Sequence, residues 1–397
     1  MSTNNLRHLT GRTERMSRRF RRVAITLVAT VCSLQTSLLQ AQARVEPATH
    51  ERPAQPRRDT TARVLYRALP YGSQAYFSPL TVLLNKGFDH FQARNARRDV
   101  WAYPYGNALS RAVFDALRNP RAAIDRDPGM SKWLRTEILP LSYRFSEASW
   151  VVNYTEHMLA GGLTYRMLGE WFTEQGVPAP RVFAAATTFT AAMLNEAAEY
   201  ATAERGTAAS VADLYVFDLG GILLFNWNPL VRFFGDRLQA ADWSNQATFT
   251  APDGLLRNTG QYYVYKIPLP ADRWRLFVRG GMGAQVGFTR SLGREFALST
   301  SLGADTEVRN VDSTTNAESI KMKFGGGLFI DRRNSLLASL TMGPTAQRVT
   351  LNVYPGVLPG VLRDVGVWGA ATRDGRFVYG LAHRRALGLG VGYSAIR

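Results

Sequence analysis

Apolar and polar residues alternate along the last third of the chain, from Trp274 to the carboxyl end. Successive side chains of a β-strand point to opposite faces, so this period of two predicts strands with one apolar and one polar face. The first alternating run, 274–289, predicts a single strand much longer than the about five or six residues of ordinary strands. Strands that cross a bilayer need about 9–11 residues, so the pattern favours membrane-crossing strands.

The alternation continues through eight segments with turn signals between them. The segments are 274–289, 295–309, 318–331, 334–343, 346–354, 363–372, 375–384 and 386–396, and a further strand is predicted at 262–265. Joints such as Arg373-Asp374-Gly375 are typical of hairpins. The region 236–397 is therefore predicted to be an antiparallel β-barrel of about 8–12 strands, as in outer-membrane proteins. A soluble antiparallel barrel or sandwich with one wet face is the alternative.

The preceding region, 62–235, has mostly helical periodicity, so the chain is predicted to be α+β, with a helical domain ahead of the barrel. Helices are predicted to start at Ser78 and Asn107, to span 145–174, and to run from Pro180 to about residue 206 and from Ser210 to Asn226. The stretches 183–200 and 211–227 are apolar on nearly all sides. We therefore expect other parts of the protein to enclose them.

The amino terminus has the three parts of an export signal. Basic residues at 18–22 precede an apolar run, and Ala41-Gln42-Ala43 forms a small-x-small cleavage site. Residues 1–43 are therefore predicted to be a signal peptide, and 44–61, which are polar and contain prolines, a flexible leader. An uncleaved anchor and a lipoprotein signal at Cys32 are the alternatives. Cleavage after Ala43 removes the only cysteine, and with it any disulfide or thiolate chemistry.

The formal net charge is +17 at pH 7, and residues 1–43 contain seven Arg and one Glu, so the remainder keeps about +11. The arginines outside the signal are spread singly among apolar residues, and this spacing argues against nucleic acid as a partner. An exported basic chain meets anionic head groups, so the predicted partner is outer-membrane lipid or lipopolysaccharide. No protein partner is predicted. The predicted location is the outer membrane, with the periplasm as the alternative.

Polar residues interrupt the apolar helices in four groups. The polar side chains are Asn153, His157, Glu196, Glu199, Ser210, Asp213 and Asp218, and the accompanying glycines are Gly161, Gly220 and Gly221. Residues three or four apart share a helix face. Gly161 is therefore predicted to let another helix approach His157 closely, and Glu196 is predicted to lie beside Glu199.

The order His-x3-Gly, Glu-x-x-Glu, Ser-x-x-Asp and Gly-Gly in these groups resembles a family of uncharacterised exported proteins. In that family a helical core precedes an outer-membrane-like barrel. The order is more distantly similar to the YfiM-like lipoproteins and to the VanZ-like membrane proteins. The YfiM-like pattern has Asp-Lys ahead of its His, whereas this chain has Asn153-Tyr154. The resemblance covers roughly 150–227 and implies an architecture but no reaction.

Three roles are open for these polar residues. They can form a buried network that fixes helix register, with Arg166, Arg181 and Arg205 as partners of the acids. One imidazole among carboxylates can also bind a divalent metal, the one cofactor that the residues suggest. The third role is acid–base catalysis by His157, Glu196, Glu199 and Asp218.

The sequence favours a non-enzymatic envelope protein that is structural or handles lipid or solute. Its helices are predicted to plug the barrel or to dock on it, so that the lumen is filled and an open pore is disfavoured. The alternative is an outer-membrane enzyme that acts on envelope lipids through the His/Glu/Asp cluster. The sequence contains no Gly-x-Ser-x-Gly elbow, Walker loop or His-Glu-x-x-His motif.

Overall fold

The structure is a computed structural model that describes residues 64–92, 99–103, 105–141, 149–203, 207–251, 253–311, 318–343, 347–373 and 375–394. The predicted signal peptide, 1–43, and leader, 44–61, lie outside the described residues. Helices occupy the described residues up to 237, and a large sheet occupies those that follow. The predicted α+β class is therefore confirmed.

Eight helices, some with a π-helical turn, lie in the described part of the amino-terminal region. They are α1 (Pro79–Asn85), α2 (105–118, π-turn Leu109–Phe114), α3 (Pro120–Arg126), α4 (130–138, π-turn Leu134–Ile138), α5 (149–174, π-turn Asn153–Leu159), α6 (Pro180–Ala203), α7 (207–224, π-turn Ala212–Asp218) and α8 (228–237, π-turn Phe233–Arg237). Short 3₁₀ turns lie at Ser73–Ala75, Asp89–Gln92, Gly360–Leu362 and Arg384–Ala386.

Local sequence explains where two helices begin. Ser78 caps α1 with a capping box, because its hydroxyl accepts from the Thr81 N–H while the Thr81 hydroxyl accepts from the Ser78 N–H. Helix α6 begins at Pro180, whose fixed φ suits the first helical position. The predicted caps at Asn107 and Ser210 are wrong, because α2 and α7 already include the residues that precede them.

Thirteen strands form one sheet in the described residues, in the order β1-β4-β5-β6-β7-β8-β9-β10-β11-β12-β13-β2-β3. The strands are β1 (Ala241–Asp242), β2 (Thr248–Ala251), β3 (Leu256–Arg257), β4 (Tyr263–Pro268), β5 (Trp274–Gly280), β6 (Gly283–Leu292), β7 (Phe296–Val311), β8 (Glu318–Arg332), β9 (Ser335–Met342), β10 (Gln347–Val353), β11 (Val365–Thr372), β12 (Phe377–His383) and β13 (Gly390–Ser394). From β4 to β13 the strands form an antiparallel meander.

The predicted single strand over 274–289 is wrong, because this segment is the hairpin of β5 and most of β6. Its register places Val278 opposite Val286, and Leu276 opposite Phe288. Even-numbered residues therefore face the same side on both arms, so the alternation runs through the turn without a break. Gly281, with a φ of 159°, lies in that turn. Periodicity alone does not distinguish this hairpin from one long strand.

The two edges of the sheet belong to one further hairpin. Its first arm, 241–251, contains β1 and β2, and its second arm, 256–268, contains β3 and β4. Contacts of constant register join the arms: Ala241 opposite Val264, the Trp243 N–H to the Tyr262 carbonyl, the Asn245 N–H to the Gly260 carbonyl, and Thr248 opposite Arg257. Strand β2 also pairs in parallel with β13.

The long strands expose apolar side chains and bury polar ones. The exposed apolar side chains include Val286, Phe288, Leu302, Leu328, Leu340, Leu351, Tyr379 and Val391. The buried polar side chains on the same strands include Gln285, Thr289, Ser299, Ser301, Asp331, Ser339, Thr350 and Asn352. The apolar side chains form continuous rows, since Leu328, Leu340 and Leu351 are directly opposite one another on β8, β9 and β10. The sheet is therefore inverted relative to that of a water-soluble protein.

The buried face of the sheet is filled by side chains and by the segment 70–78. Trp243, Phe277 and Phe329 pack together with ring centroids 5.5–5.6 Å apart. Lys266 Nζ lies 2.6 Å from Asp331 Oδ2, and both side chains are buried. At one end, the Tyr76 hydroxyl donates to the Ala382 carbonyl on β12. These side chains and the segment 70–78 therefore occupy the space on the buried face of the sheet.

The helices pack against the opposite face of β4. Tyr263 and Tyr265 belong to the helical core, together with Leu163, Leu168 and Phe225. The hydroxyl groups of Tyr263 and Thr164 form a hydrogen bond of 2.9 Å. The helical region therefore covers the face of β4 that carries Tyr263 and Tyr265.

Among the described residues, no single helix has the length and apolar character needed to cross a membrane. One bent pair, Ala208–Leu224 with Asn228–Arg237, meets that requirement by length and composition, with 83° between its two parts.

Candidate functional site

Three helices and the end of α1 converge on His157. The π-turn of α5 carries His157, the π-turn of α7 carries Asp213 and Asp218, and α6 carries Glu196. These four side chains are buried, with 7% exposure at most. The structure therefore brings together the four predicted residues that carry most of the candidate chemistry.

The π-turn of α7 explains why both of its aspartates face the same histidine. In an α-helix, residues five apart point about 140° away from each other. The i→i+5 hydrogen bonds of a π-turn bring such residues onto one face. Asp213 and Asp218 are five apart, and both approach His157. π-Turns are rare in proteins and occur frequently at functional sites.

His157 is held between the two aspartates. Its Nδ1 lies 3.2 Å from Asp218 Oδ2, at hydrogen-bond distance, and its Nε2 lies 3.8 Å from Asp213 Oδ1. The other oxygen of Asp218, Oδ1, lies 3.7 Å from Lys86 Nζ, just beyond the end of α1. A chain of charges therefore runs from Lys86 through Asp218 and His157 to Asp213.

Glu196 completes a set of three groups around one point. A ring nitrogen of His157 and one carboxylate oxygen each of Glu196 and Asp213 lie within 4.8 Å of one another. The three residues come from three different helices, so only the folded chain assembles the set. One imidazole and two carboxylates at this spacing can hold a divalent metal ion.

The charges of the cluster shift two pKa values. Burial alone lowers the pKa of His157, but the carboxylates of Asp213 and Asp218 outweigh burial and raise this pKa to about 10. Burial raises the pKa of the adjacent Glu156 to about 7, although Lys86 and His157 act in the opposite direction. His157 is therefore cationic at neutral pH when no metal is bound.

Close-packing glycines allow the helices to approach. A Cβ at Gly161 would lie 3.2 Å from Asp218 Oδ1, and one at Gly221 would lie 2.4 Å from the Met158 carbonyl oxygen. At Gly220 the nearest atom is the flexible Met158 Cε, at 3.2 Å. The contact between α5 and α7 therefore depends on Gly221 more than on Gly220.

Three further predicted site residues lie on the same three helices, Asn153 on α5, Glu199 on α6 and Ser210 on α7. The Asn153 amide donates to the Glu137 carbonyl oxygen on α4 at 3.0 Å. Ser210 is buried in α7, and Glu199 is half-buried one turn beyond Glu196. Asn153 therefore ties α5 to α4.

The structure assigns different partners to the predicted arginines. Arg166 pairs with Glu170 on its own helix at 3.0 Å, and Arg181 donates to Asn226. Arg205 lies outside the described residues. The cation that faces Asp218 is Lys86, which sequence reasoning missed. No local sequence pattern marks Lys86, which directly follows the last residue of α1 and is 7% exposed in the folded chain.

A small cavity lies away from the cluster. It measures about 10 Å³, room for about one water molecule, and it lies between the segment 73–85 and residues 242–245. Ser73, Tyr76 and Asp242 are among its lining residues. Neither His157 nor an acidic residue of its cluster lines this cavity.

Comparisons with protein families, with curated proteins and with solved structures find no match to this chain. The resemblance to exported proteins with a helical core and a barrel therefore stays a prediction.

Proposed function

We propose that the protein is an integral outer-membrane protein whose sheet closes into a filled β-barrel. The observation that carries this proposal is the inverted burial of the long strands. Leu302 is 76% exposed and Phe324 is 91% exposed, whereas Ser299 and Gln285 are 0% and 1% exposed. Such a surface costs free energy in water and is favourable in lipid.

The extent of the apolar surface supports a bilayer in preference to a small ligand. Cross-strand pairs extend the apolar surface from Leu328 on β8 to Leu351 on β10. Gly369 on β11 interrupts this surface, which continues at Tyr379 on β12. Monomeric soluble proteins rarely expose apolar patches larger than a few hundred Å². A surface that continues across neighbouring strands suits a lipid layer that covers the sheet outside the part of β4 on which the helices pack.

The register of the 241–268 hairpin supports closure. Its first arm pairs with β13 and its second arm pairs with β5, so the hairpin links the first and last strands of the meander. If each arm of this hairpin counts as one strand, the proposed ring contains eleven strands. Strands that alternate in direction around a ring of odd number must include one parallel pair, and this pair is β2 and β13. Bacterial outer-membrane barrels usually have an even number of strands, so this ring would be unusual.

Aromatic and cationic side chains mark one rim of the proposed barrel. Trp274 and Phe296 are 43% and 42% exposed at the starts of β5 and β7. The Arg290 guanidinium lies 5.8 Å from the Trp274 ring, and that of Arg332 lies 5.7 Å from the Phe296 ring. Aromatic residues are enriched where a barrel meets the head groups, and arginine suits lipid phosphates. The proposed partner of this rim is outer-membrane lipid or lipopolysaccharide.

The filled interior favours a structural or lipid-handling role over an open pore. Arg279 lies 3.4 Å from the centre of the Tyr262 ring and 5.6 Å from that of Phe329. Lys266 is paired with Asp331 in the same interior. The helical region docks on the outer side of β4, and the segment 70–78 occupies one end of the barrel.

The proposal is tested by placing a polarity-sensitive fluorophore on the outer face. Single cysteines replace Leu302 and, as a matched control, Val361, in a Cys32→Ser background. Both positions are apolar and exposed, but Val361 lies in the loop between β10 and β11 and is 95% exposed. In native membranes we expect the label at position 302 to be blue-shifted and protected from iodide, and the label at position 361 to be quenched.

The purified protein is also expected to migrate differently on a gel before and after boiling, as folded outer-membrane barrels do. Equal iodide quenching at positions 302 and 361, together with recovery of a detergent-free monomer, would overturn the proposal.

A further inference from the structure

We propose that the protein binds one divalent transition-metal ion between α5, α6 and α7. The ligands are His157 through Nε2 and the carboxylates of Asp213 and Glu196. The inference concerns the helical region alone, and it holds whether or not the sheet lies in a membrane.

The donor atoms already have nearly the spacing that a metal requires. The three ligand atoms lie within 4.8 Å of one another, and His157 Nε2 is 3.8 Å from Asp213 Oδ1. Metal bonds of about 2.0–2.2 Å place neighbouring ligand atoms about 3–4 Å apart. Small side-chain rotations bring all three donors to bonding distance of one ion.

The surroundings of His157 provide the second observation. Metal-bound histidines usually donate their other ring N–H to a carboxylate, which fixes the tautomer and orients the ring. Here Nδ1 lies 3.2 Å from Asp218 Oδ2, and Lys86 Nζ lies 3.7 Å from the other oxygen of Asp218. With the Nδ1 proton held by Asp218, the lone pair of Nε2 is directed to the side where Asp213 and Glu196 lie.

The charge of the cluster is consistent with a bound cation. Three buried carboxylates, on Glu196, Asp213 and Asp218, surround one imidazole. A metal ion replaces the proton on Nε2, so that binding releases that proton and brings two positive charges. The alternative is an imidazolium ion paired with two aspartates, and it uses the same residues without any metal.

The ligand set defines the class of metal. One imidazole with two carboxylates suits Zn²⁺, Mn²⁺, Fe²⁺ and Co²⁺. Three protein ligands leave at least one position for water, as in catalytic zinc sites. Thiolate-selective ions such as Cu⁺ are not expected.

The test is direct metal binding to the purified full chain in detergent. The protein is stripped with a chelator, dialysed and titrated with Co²⁺ and Zn²⁺. We expect saturation at one ion per chain, visible absorption from bound Co²⁺, and displacement of Co²⁺ by Zn²⁺. X-ray absorption of the zinc form is expected to show one imidazole and otherwise oxygen ligands.

Variants separate the ligands from the supporting residues. Asp213→Asn and Glu196→Gln are expected to weaken binding at least 100-fold, and Asp218→Asn about 10- to 100-fold. Asp115→Asn is the control, because Asp115 pairs with Arg126 on the surface, and it is expected to bind as the wild type does. Circular dichroism shows whether each variant is folded.

Failure of the folded wild-type chain to retain Co²⁺ or Zn²⁺ at micromolar concentration would overturn the proposal in favour of the imidazolium pair. Unchanged affinity in folded Asp213→Asn and Glu196→Gln would also overturn it. If those variants do not fold, the absorption spectrum of the wild-type zinc form decides, since a site without imidazole contradicts the assignment.

Discussion

The helical region and the long strands differ in what they bury and expose, because the strands bury many polar side chains beside their aromatic ones and expose apolar ones. In the helices, Leu163, Met167 and Phe217 are fully buried, as in a protein that folds in water. On the strands, Ser299 is fully buried while Leu302, three residues further on, is 76% exposed. The two regions nevertheless share an interface, at which the helical core covers Tyr263 and Tyr265 on β4.

On the proposed function, this difference means that one chain is organised for water around its helices and for lipid around its long strands. Burial of apolar side chains stabilises the helices through the hydrophobic effect. The strands are stabilised by hydrogen bonds and ion pairs on their buried face, and their outer face is suited to lipid. Each region also contains a buried pair of charged groups, Lys266 with Asp331 in the sheet and His157 with Asp218 in the helices.

Breaking the buried pair of the sheet is expected to have the largest effect. Lys266→Met leaves the Asp331 carboxylate buried without its ion-pair partner, which costs about 3–5 kcal/mol. Urea unfolding, followed by gel migration without boiling, measures the loss. The double variant Lys266→Met/Asp331→Leu is expected to recover most of it. Arg126→Met, which breaks an exposed pair, should cost less than about 1 kcal/mol, and an equal loss in both single variants would contradict this prediction.

A charged residue on the outer face of the strands tests whether this apolar face contacts lipid or water. Leu302→Lys is expected to cost about 2–4 kcal/mol in lipid, because the ammonium group lies at membrane depth. In water the same change at a site that is 76% exposed costs less than about 0.5 kcal/mol. Unfolding from lipid vesicles distinguishes the two values. Val361→Lys is the control and should be near neutral; a neutral Leu302→Lys would show that the strands face water.

The helical cluster is expected to give the metal-free protein a pH-dependent stability. The pKa of His157 is raised from 6.5 to about 10, so its stabilising contribution is complete below pH 6.5 and is lost as the pH rises to about 10. The loss is on the order of 2 kcal/mol, discounted for coupling to Asp213 and Asp218.

Thermal unfolding in chelator between about pH 8.5 and 10 measures this contribution, above the range around pH 7 in which Glu156 titrates. His157→Gln is expected to remove the pH dependence while it lowers stability at pH 7. A pH dependence that persists unchanged in folded His157→Gln would assign it to another group.

Two adjacent glycines provide the smallest and most local test. Gly221→Ala is expected to destabilise the helical region by about 1–2 kcal/mol, because its Cβ would lie 2.4 Å from the Met158 carbonyl oxygen. Gly220→Ala meets only the flexible end of Met158 and gains helix propensity, so it should be near neutral or stabilising. Thermal unfolding followed by circular dichroism compares the two. Equal effects would show that the contact between α5 and α7 is loose at both positions.

Much of the sheet was predictable because alternation is a local property. Most strands from β7 to β12 lie within about two residues of the predicted segments, as β9 (Ser335–Met342) does within 334–343. The hairpin over 274–289 was not predictable from alternation, since its register keeps even-numbered residues on one face. The short strands β1, β2 and β3 also escaped prediction, because each has at most 4 residues and is too short to show a pattern of its own.

The candidate site was predictable in its residues but not in its geometry. The sequence identified His157, Glu196, Asp213 and Asp218 as polar residues within apolar helices. Helical spacing of 3.6 does not place Asp213 and Asp218 on one face, and only the π-turn of α7 does so. The contribution of Lys86 depends on a contact more than 130 residues away along the chain, so no local pattern indicates it.

By itself, the sequence determined that a helical region precedes the strands, which residues of the long strands alternate between two faces, and which acidic and imidazole groups interrupt the helices. These properties follow from side-chain periodicity and composition, which are local. Only the tertiary structure decided which face of the sheet is buried, how the 241–268 hairpin links its first and last strands, and which atoms surround His157. Those depend on contacts between residues far apart in the chain, and such contacts are chosen by the packing of the whole molecule.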